Sequence, residues 1–128
     1  MSEPILNCET LRKVFSENGT DVEAVAAMNL SAAPGEFVSL FGPSGCGKST
    51  LLLVAGGLLA PTSGNLLVCG HDPYALSASD RSAFRARHIG FLFQQFHLVP
   101  YLDVLDNVLA PTLAGSFPNA EQRAMELL

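Results

Sequence analysis

Gly42-Pro43-Ser44-Gly45-Cys46-Gly47-Lys48-Ser49-Thr50 decides how this chain is read. It fits the pattern G-x-x-x-x-G-K-[ST], with Gly42, Gly47, Lys48 and Ser49 on the fixed positions. The flanks agree with it. Before it lies Glu36-Phe37-Val38-Ser39-Leu40-Phe41, an apolar run of strand length. After it, Ser49 to Ala55 reads as the first turns of a buried helix. Strand, glycine-rich loop and helix is the context in which the pattern binds the phosphates of a nucleotide.

The residue types follow from that chemistry. A triphosphate is a dense anion, held by backbone N–H groups that converge on it, and glycine lets the chain bend that tightly. Unpaired amides and the positive end of the following helix face the same anion. Within the loop, Gly42, Pro43, Ser44, Gly45, Cys46 and Gly47 supply backbone, and Lys48 supplies a mobile point charge for the outer phosphates. Ser49 offers a hard hydroxyl oxygen suited to Mg²⁺, and Thr50 continues the helix start. Cys46 is open to two readings. It is either a small residue at a variable position or a thiol activated by the helix N-terminus.

Working outward, the chain has 128 residues, the size of one small domain or part of a larger one. Its formal net charge is −5 and it has no block of lysine and arginine, which argues against a nucleic-acid surface. Cys8, Cys46 and Cys69 are an odd number without C-x-x-C spacing, the usage of reduced thiols in the cytosol. His71, His88 and His97 stand apart, with no partner at metal-ligand spacing, and read as surface or loop residues. The longest apolar run, Leu51 to Ala60, is ten residues, too short to cross a bilayer. Met1-Ser2-Glu3-Pro4 has neither the basic nor the apolar stretch of a signal peptide, so membrane association would come through a partner.

In chain order, Ile5 to Phe15 reads as an edge strand, Asn18-Gly19 as a hairpin turn, and Val22 to Leu30 as the returning strand. The helix after the loop should stop at Gly56-Gly57. Asn65 to Cys69 reads as a short strand, and Ser77 or Ser79 opens a helix through Arg87. Ile89 to Phe93 is continuously apolar, as a strand buried on both faces should be. Asp103 to Asp106 has the form of a capping box for a helix through Leu109, stopped by Pro111. A last helix opens at Asn119-Ala120-Glu121.

The order of these blocks resembles the ATP-binding cassette (ABC) ATPases over nearly the whole chain. Leu11-Arg12-Lys13-Val14-Phe15 sits where that family places an aromatic that stacks on adenine. Ser31 to Phe37 followed by the loop 42–50 looks like the family's lead-in and phosphate loop, and Gly57 to Gly64 like the turn after its helix. Ile89-Gly-Phe-Leu-Phe-Gln94, with Leu98-Val99-Pro100 and Val104 to Val108 beyond, looks like the glutamine loop. Val22 to Val25 and Phe93 to Phe96 look nearest to the members serving lipoprotein release and macrolide export.

The resemblance implies an α/β fold: a mostly parallel sheet of the phosphate-loop NTPase type with an N-terminal antiparallel β subdomain, here in its N-terminal half. Residues 1–128 would form one partial nucleotide-binding domain, with the glutamine loop near 94 and a helical subdomain starting at about 103. It implies ATP and Mg²⁺ as ligands, with Phe15 against the base and residues 42–50 around the phosphates. Ser49 and Gln94 would be on the metal, and Lys48 and Gln94 would serve hydrolysis. It implies a transmembrane permease and a second nucleotide-binding domain, packed head to tail, as partners at the inner face of the membrane. The family's serine-glycine-glycine signature and its Asp-Glu-terminated strand do not occur in these residues. The expectation is therefore a chain that binds ATP without turning it over, with open strand edges and wet apolar faces. A non-catalytic nucleotide-binding module is the alternative reading. A small-molecule kinase would need arginines grouped near the γ-phosphate, and Arg81, Arg85, Arg87 and Arg123 show no such grouping.

Overall fold

The computed structural model describes residues 3–128. They form two compact units, one ending at Ser77 and the other spanning Ala78–Leu128.

The first unit is built on a hairpin. Strand β1 (Leu6–Glu17) and strand β2 (Thr20–Ala32) pair antiparallel, with Glu17 opposite Thr20 and Leu6 opposite Ala32. Asn18 and Gly19 turn the chain at φ 52° and 78°, the left-handed pair that a two-residue turn requires. Strand β3 (Ser63–Val68) adds to the other side of β1, also antiparallel, so the order is β2-β1-β3. The expected edge strand is thus the central one. Strand β1 is flanked on both sides because the chain returns to it after the helix. Its ladder is interrupted near Thr10, whose backbone takes φ 47° and whose N–H donates to the Asn29 side-chain oxygen at 2.7 Å.

Helix α1 (Lys48–Ala55) buries Leu51 and Val54, which with Cys8, Leu11, Val25, Ala32, Leu66 and Val68 form the core of this unit. Burial pushes the Cys8 thiol pKa up, and Cys8, Cys46 and Cys69 are all unbridged. The helix ends where the glycine pair predicts. Gly57 adopts φ 71°, its N–H donates to Val54 O at 3.1 Å, and Leu58 N–H donates to Leu53 O at 2.9 Å. That is the Schellman arrangement, which glycine favours at its left-handed position. The Tyr74 hydroxyl, 2.6 Å from both Val54 O and Leu59 O, closes the same end.

Two expected strands are absent. Residues 36–43 and 89–93 carry no ladder, and every strand pair among the described residues is antiparallel. A strand exists only against a neighbour whose N–H and C=O groups meet its own. No described segment lies alongside these runs in that way, so apolar composition alone leaves them outside any sheet. Phe37 and Phe41 are 91% and 92% exposed, the wet apolar surface that the sequence anticipates.

In the second unit, helix α2 spans Ala78–His88, α3 Val104–Leu109 and α4 Ala120–Leu127, with a 3-10 turn at Ala110–Ala114. Asp103 caps α3 as expected, its carboxylate accepting the Asp106 N–H at 2.8 Å. Asn107 ties the preceding loop to this helix. Its side-chain oxygen accepts the Val99 N–H at 2.8 Å, and its amide hydrogens are shared among the carbonyls of Val99, Leu102 and Asp103 at 2.9–3.1 Å. Asn107→Ala is expected to cost about 1–3 kcal/mol, because part-buried backbone groups lose their partner. Hydrogen exchange checks it: the Val99 amide should lose protection while β1 amides keep theirs.

Candidate functional site

The loop 42–50 leaves β2 and the turn after it. That turn runs Ala33–Glu36: Glu36 N–H donates to Ala33 O at 3.1 Å, and the Glu36 carboxylate accepts the Ala33 N–H at 2.7 Å. From there the chain runs unpaired into Gly42 and bends at Ser44-Gly45, where Cys46 N–H donates to Pro43 O at 3.3 Å. Gly47 is the N-cap of α1 at φ 93°, and the first helical bond is Leu51 N–H to Gly47 O at 2.9 Å. No side chain caps this end. The first amides of the helix, at Lys48, Ser49 and Thr50, therefore remain for an external acceptor, with the helix dipole behind them.

Lys48 folds back over this bend. Its ammonium donates to Gly42 O at 2.8 Å and Pro43 O at 2.7 Å and lies 3.4 Å from Cys46 Sγ. The structure thus brings Gly42, Pro43 and Cys46 against the Lys48 ammonium, with Ser44 and Gly45 at the bend, Gly47 at the N-cap and Ser49 and Thr50 on the first turn of α1. Cys46 packs so closely on Gly42 that a Cβ there would meet Sγ at 2.6 Å.

The loop is backed by β2, which motif reading does not reveal. A Cβ on Gly47 would sit 1.9 Å from the Ala24 carbonyl oxygen, so strand and loop touch backbone to backbone. Ala24, Val25, Ala26 and Met28 line a hollow of about 250 Å³ together with Leu40, Phe41, Cys46, Gly47, Lys48 and Leu51. The hairpin relates Phe15 to this point. Phe15 faces Val22 across the ladder, two residues along β2 from Ala24. Two residues of strand rise and one strand spacing put the Phe15 backbone on the order of 10 Å from the loop. Its ring is 42% exposed, with the Lys13 ammonium 5.1 Å from the ring centroid.

Gln94 belongs to the second unit, exposed at a bend with Gln95. Phe91 and Phe93 stack just before it at 5.4 Å, and Phe93 meets His97 edge-on at 5.1 Å, His97 holding φ 52°. Among the described residues no group of three or more His, Cys, Asp or Glu side chains is placed to hold a metal, and no helix is long and apolar enough to cross a membrane. Mg²⁺ does not need such a cage. It keeps several waters and substrate phosphates and takes one or two protein oxygens, a kind of ligand that the Ser49 hydroxyl offers.

Residues 25–128 match the ABC transporter family. The chain is 42% identical over 130 aligned positions to the lipoprotein-releasing system ATP-binding protein LolD of Novosphingobium aromaticivorans, covering all of this chain and 58% of that one. It is 38% identical to the macrolide export ATP-binding/permease protein MacB of Rhodopseudomonas palustris, over 97% of this chain and 19% of that one. The ATP-binding cassette MJ0796, solved as a dimer in a post-hydrolysis state with ADP and Pi, superposes with a TM-score of 0.84 at 35% identity, over 94% of this chain and 54% of that one. The chain thus spans little more than half the length of LolD and of MJ0796. With the glycine-rich loop, its helix and the antiparallel hairpin behind them in place, the chain belongs to the ABC transporter family.

Proposed function

We propose that these residues are the ATP-binding portion of a transporter ATPase, which couples ATP binding and hydrolysis to movement of a cargo through a partner permease at the inner face of a membrane. The observation that carries this reading is the Lys48 ammonium folded onto Gly42 O and Pro43 O at the uncapped start of α1. An ammonium held there by carbonyls stands beside the free amides of Lys48, Ser49 and Thr50, a mixture of donors that suits phosphate oxygens.

In this reading residues 42–50 hold the triphosphate and Lys48 turns from its own carbonyls to the outer phosphates. Phe15 stacks on the adenine, since an aromatic face accepts a flat heterocycle without a hydrogen-bond partner. The Ser49 hydroxyl would hold Mg²⁺, with the Gln94 amide oxygen as the second protein ligand expected from the resemblance, and the bound ion would neutralise charge developing on the phosphates. Gln94 also orients the attacking water. Hydrolysis further requires an acidic strand end and a signature serine from a second nucleotide-binding domain, and residues 1–128 contain neither sequence. These residues by themselves therefore bind nucleotide without turning it over. The names of LolD and MacB support lipoprotein release or macrolide export as the kind of transport served.

Titration calorimetry with ATP, in Mg²⁺ and in EDTA, tests this reading. The protein should bind ATP, and Mg²⁺ should strengthen binding. Gln94→Ala should leave the EDTA affinity unchanged and reduce the gain from Mg²⁺ by roughly ten-fold. No binding at millimolar ATP would end the proposal, and equal losses with and without Mg²⁺ would make Gln94 a structural residue.

A further inference from the structure

We infer that Lys13 is a positioning residue for the base: from beneath, it holds the Phe15 ring at a fixed distance from the phosphate loop and leaves one ring face open for a purine. This rests on Phe15 being the adenine platform.

Three observations converge on Lys13. Its ammonium lies 5.1 Å from the Phe15 ring centroid, and it donates to Ala60 O at 2.9 Å, so one position of the ammonium serves both contacts. Ala60 lies in the connection between β3 and α1, the helix that starts at Lys48. The same connection is stitched to β1 on either side of Lys13. Thr62 N–H donates to Arg12 O at 2.8 Å, and Val14 N–H donates to Thr62 Oγ1 at 2.9 Å. Across the hairpin Lys13 pairs with Val25, which lines the hollow beside Gly47 and Lys48. The stretch carrying Phe15 is therefore tied to the phosphate loop by two routes, through α1 and the connection after it and through β2.

The charge has its own consequence. A cation on one face of a benzene ring draws the π-density toward itself. The opposite face becomes less negative and stacks better against an electron-rich heterocycle. One face is occupied by the ammonium, so the base has one side from which to approach. An alkyl side chain of similar length could fill the space under the ring but would supply neither the polarisation nor the bond to Ala60.

The test titrates the protein with Mg-ATP and with Mg-tripolyphosphate, which carries the phosphate chain but no base. The variants are Lys13→Met, Lys13→Arg, Phe15→Leu and the Lys13→Met/Phe15→Leu double variant. Lys13→Met should weaken ATP binding roughly two- to five-fold, within the worth of one aromatic stacking contact with the base. Tripolyphosphate binding should not change, Lys13→Arg should restore ATP binding, and Lys13→Met should add nothing in the Phe15→Leu background. An equal loss for both probes would make Lys13 a fold or phosphate residue and overturn the inference. So would a full loss in the Phe15→Leu background, or no loss of ATP binding in Lys13→Met while Phe15→Leu loses it. If Phe15→Leu itself leaves ATP binding intact, the platform reading falls and the role of Lys13 falls with it.

Discussion

Lys48→Ala is expected to weaken ATP binding by roughly 10- to 100-fold, the worth of one charge-assisted hydrogen bond to a phosphate, about 1.5–3 kcal/mol. The net charge of the chain makes this residue decisive. At −5 the protein presents no general attraction to a polyanion, so affinity must come from local donors. Those are the backbone amides at the start of α1 and one ammonium. Substitution removes the ammonium and leaves the amides, so binding should weaken without vanishing. The variant should fold, because the carbonyls of Gly42 and Pro43 that Lys48 now satisfies lie on exposed residues and can turn to water. Lys48→Arg should not rescue, since a planar fork cannot take the place of a compact ammonium in so tight a bend. Calorimetric titration with Mg-ATP decides the matter, and an unchanged affinity would remove the loop from the binding site.

Local chemistry made part of this legible beforehand. Asn18-Gly19 marks the hairpin, Gly56-Gly57 the end of α1 and Asp103 the start of α3, because each signal rests on backbone conformation or a cap within four residues. The bend at Ser44-Gly45 and the start of α1 behind it follow from the same kind of local signal. Long-range relations do not. The apolar pattern of Ile5 to Phe15 does not say how many neighbours the strand has, so its central place in the sheet was missed. The apolar runs at 36–41 and 89–93 read as strands although strand pairing depends on a second segment. Nothing in the spacing of Lys13, Phe15, Ala60 and Thr62 announces that they meet, since 45 residues or more separate the two pairs. In sequence Asn107 is one polar residue within 104–109, and its hold on Val99 depends on the fold of the intervening loop.

Gly47→Ala should cost more than any other single glycine exchange in the loop, and Gly45→Ala is its control. Both residues have left-handed backbones, φ 93° at Gly47 and φ 79° at Gly45, so both substitutions incur about 1–2 kcal/mol of backbone strain. They differ in what the new methyl group meets. At Gly45 nothing lies within 4 Å, whereas at Gly47 the methyl falls 1.9 Å from Ala24 O and 3.0 Å from Ala24 C. Those are main-chain atoms of β2, between Glu23 and Val25, which pair with Val14 and Lys13. They cannot withdraw as the tip of a side chain would. Relief requires moving either the hairpin or the first turn of α1, and the overpacking adds about 1–3 kcal/mol. The total for Gly47→Ala is then roughly 2–5 kcal/mol, a large part of the stability of a small domain. Urea unfolding should show a much lower midpoint for Gly47→Ala and a smaller drop for Gly45→Ala. Mg-ATP affinity should follow the same order, because any shift of Gly47 displaces the amides of Lys48, Ser49 and Thr50 together. Equal midpoints for the two variants would mean that β2 does not back the loop, and the distance between Phe15 and the phosphates would lose its anchor.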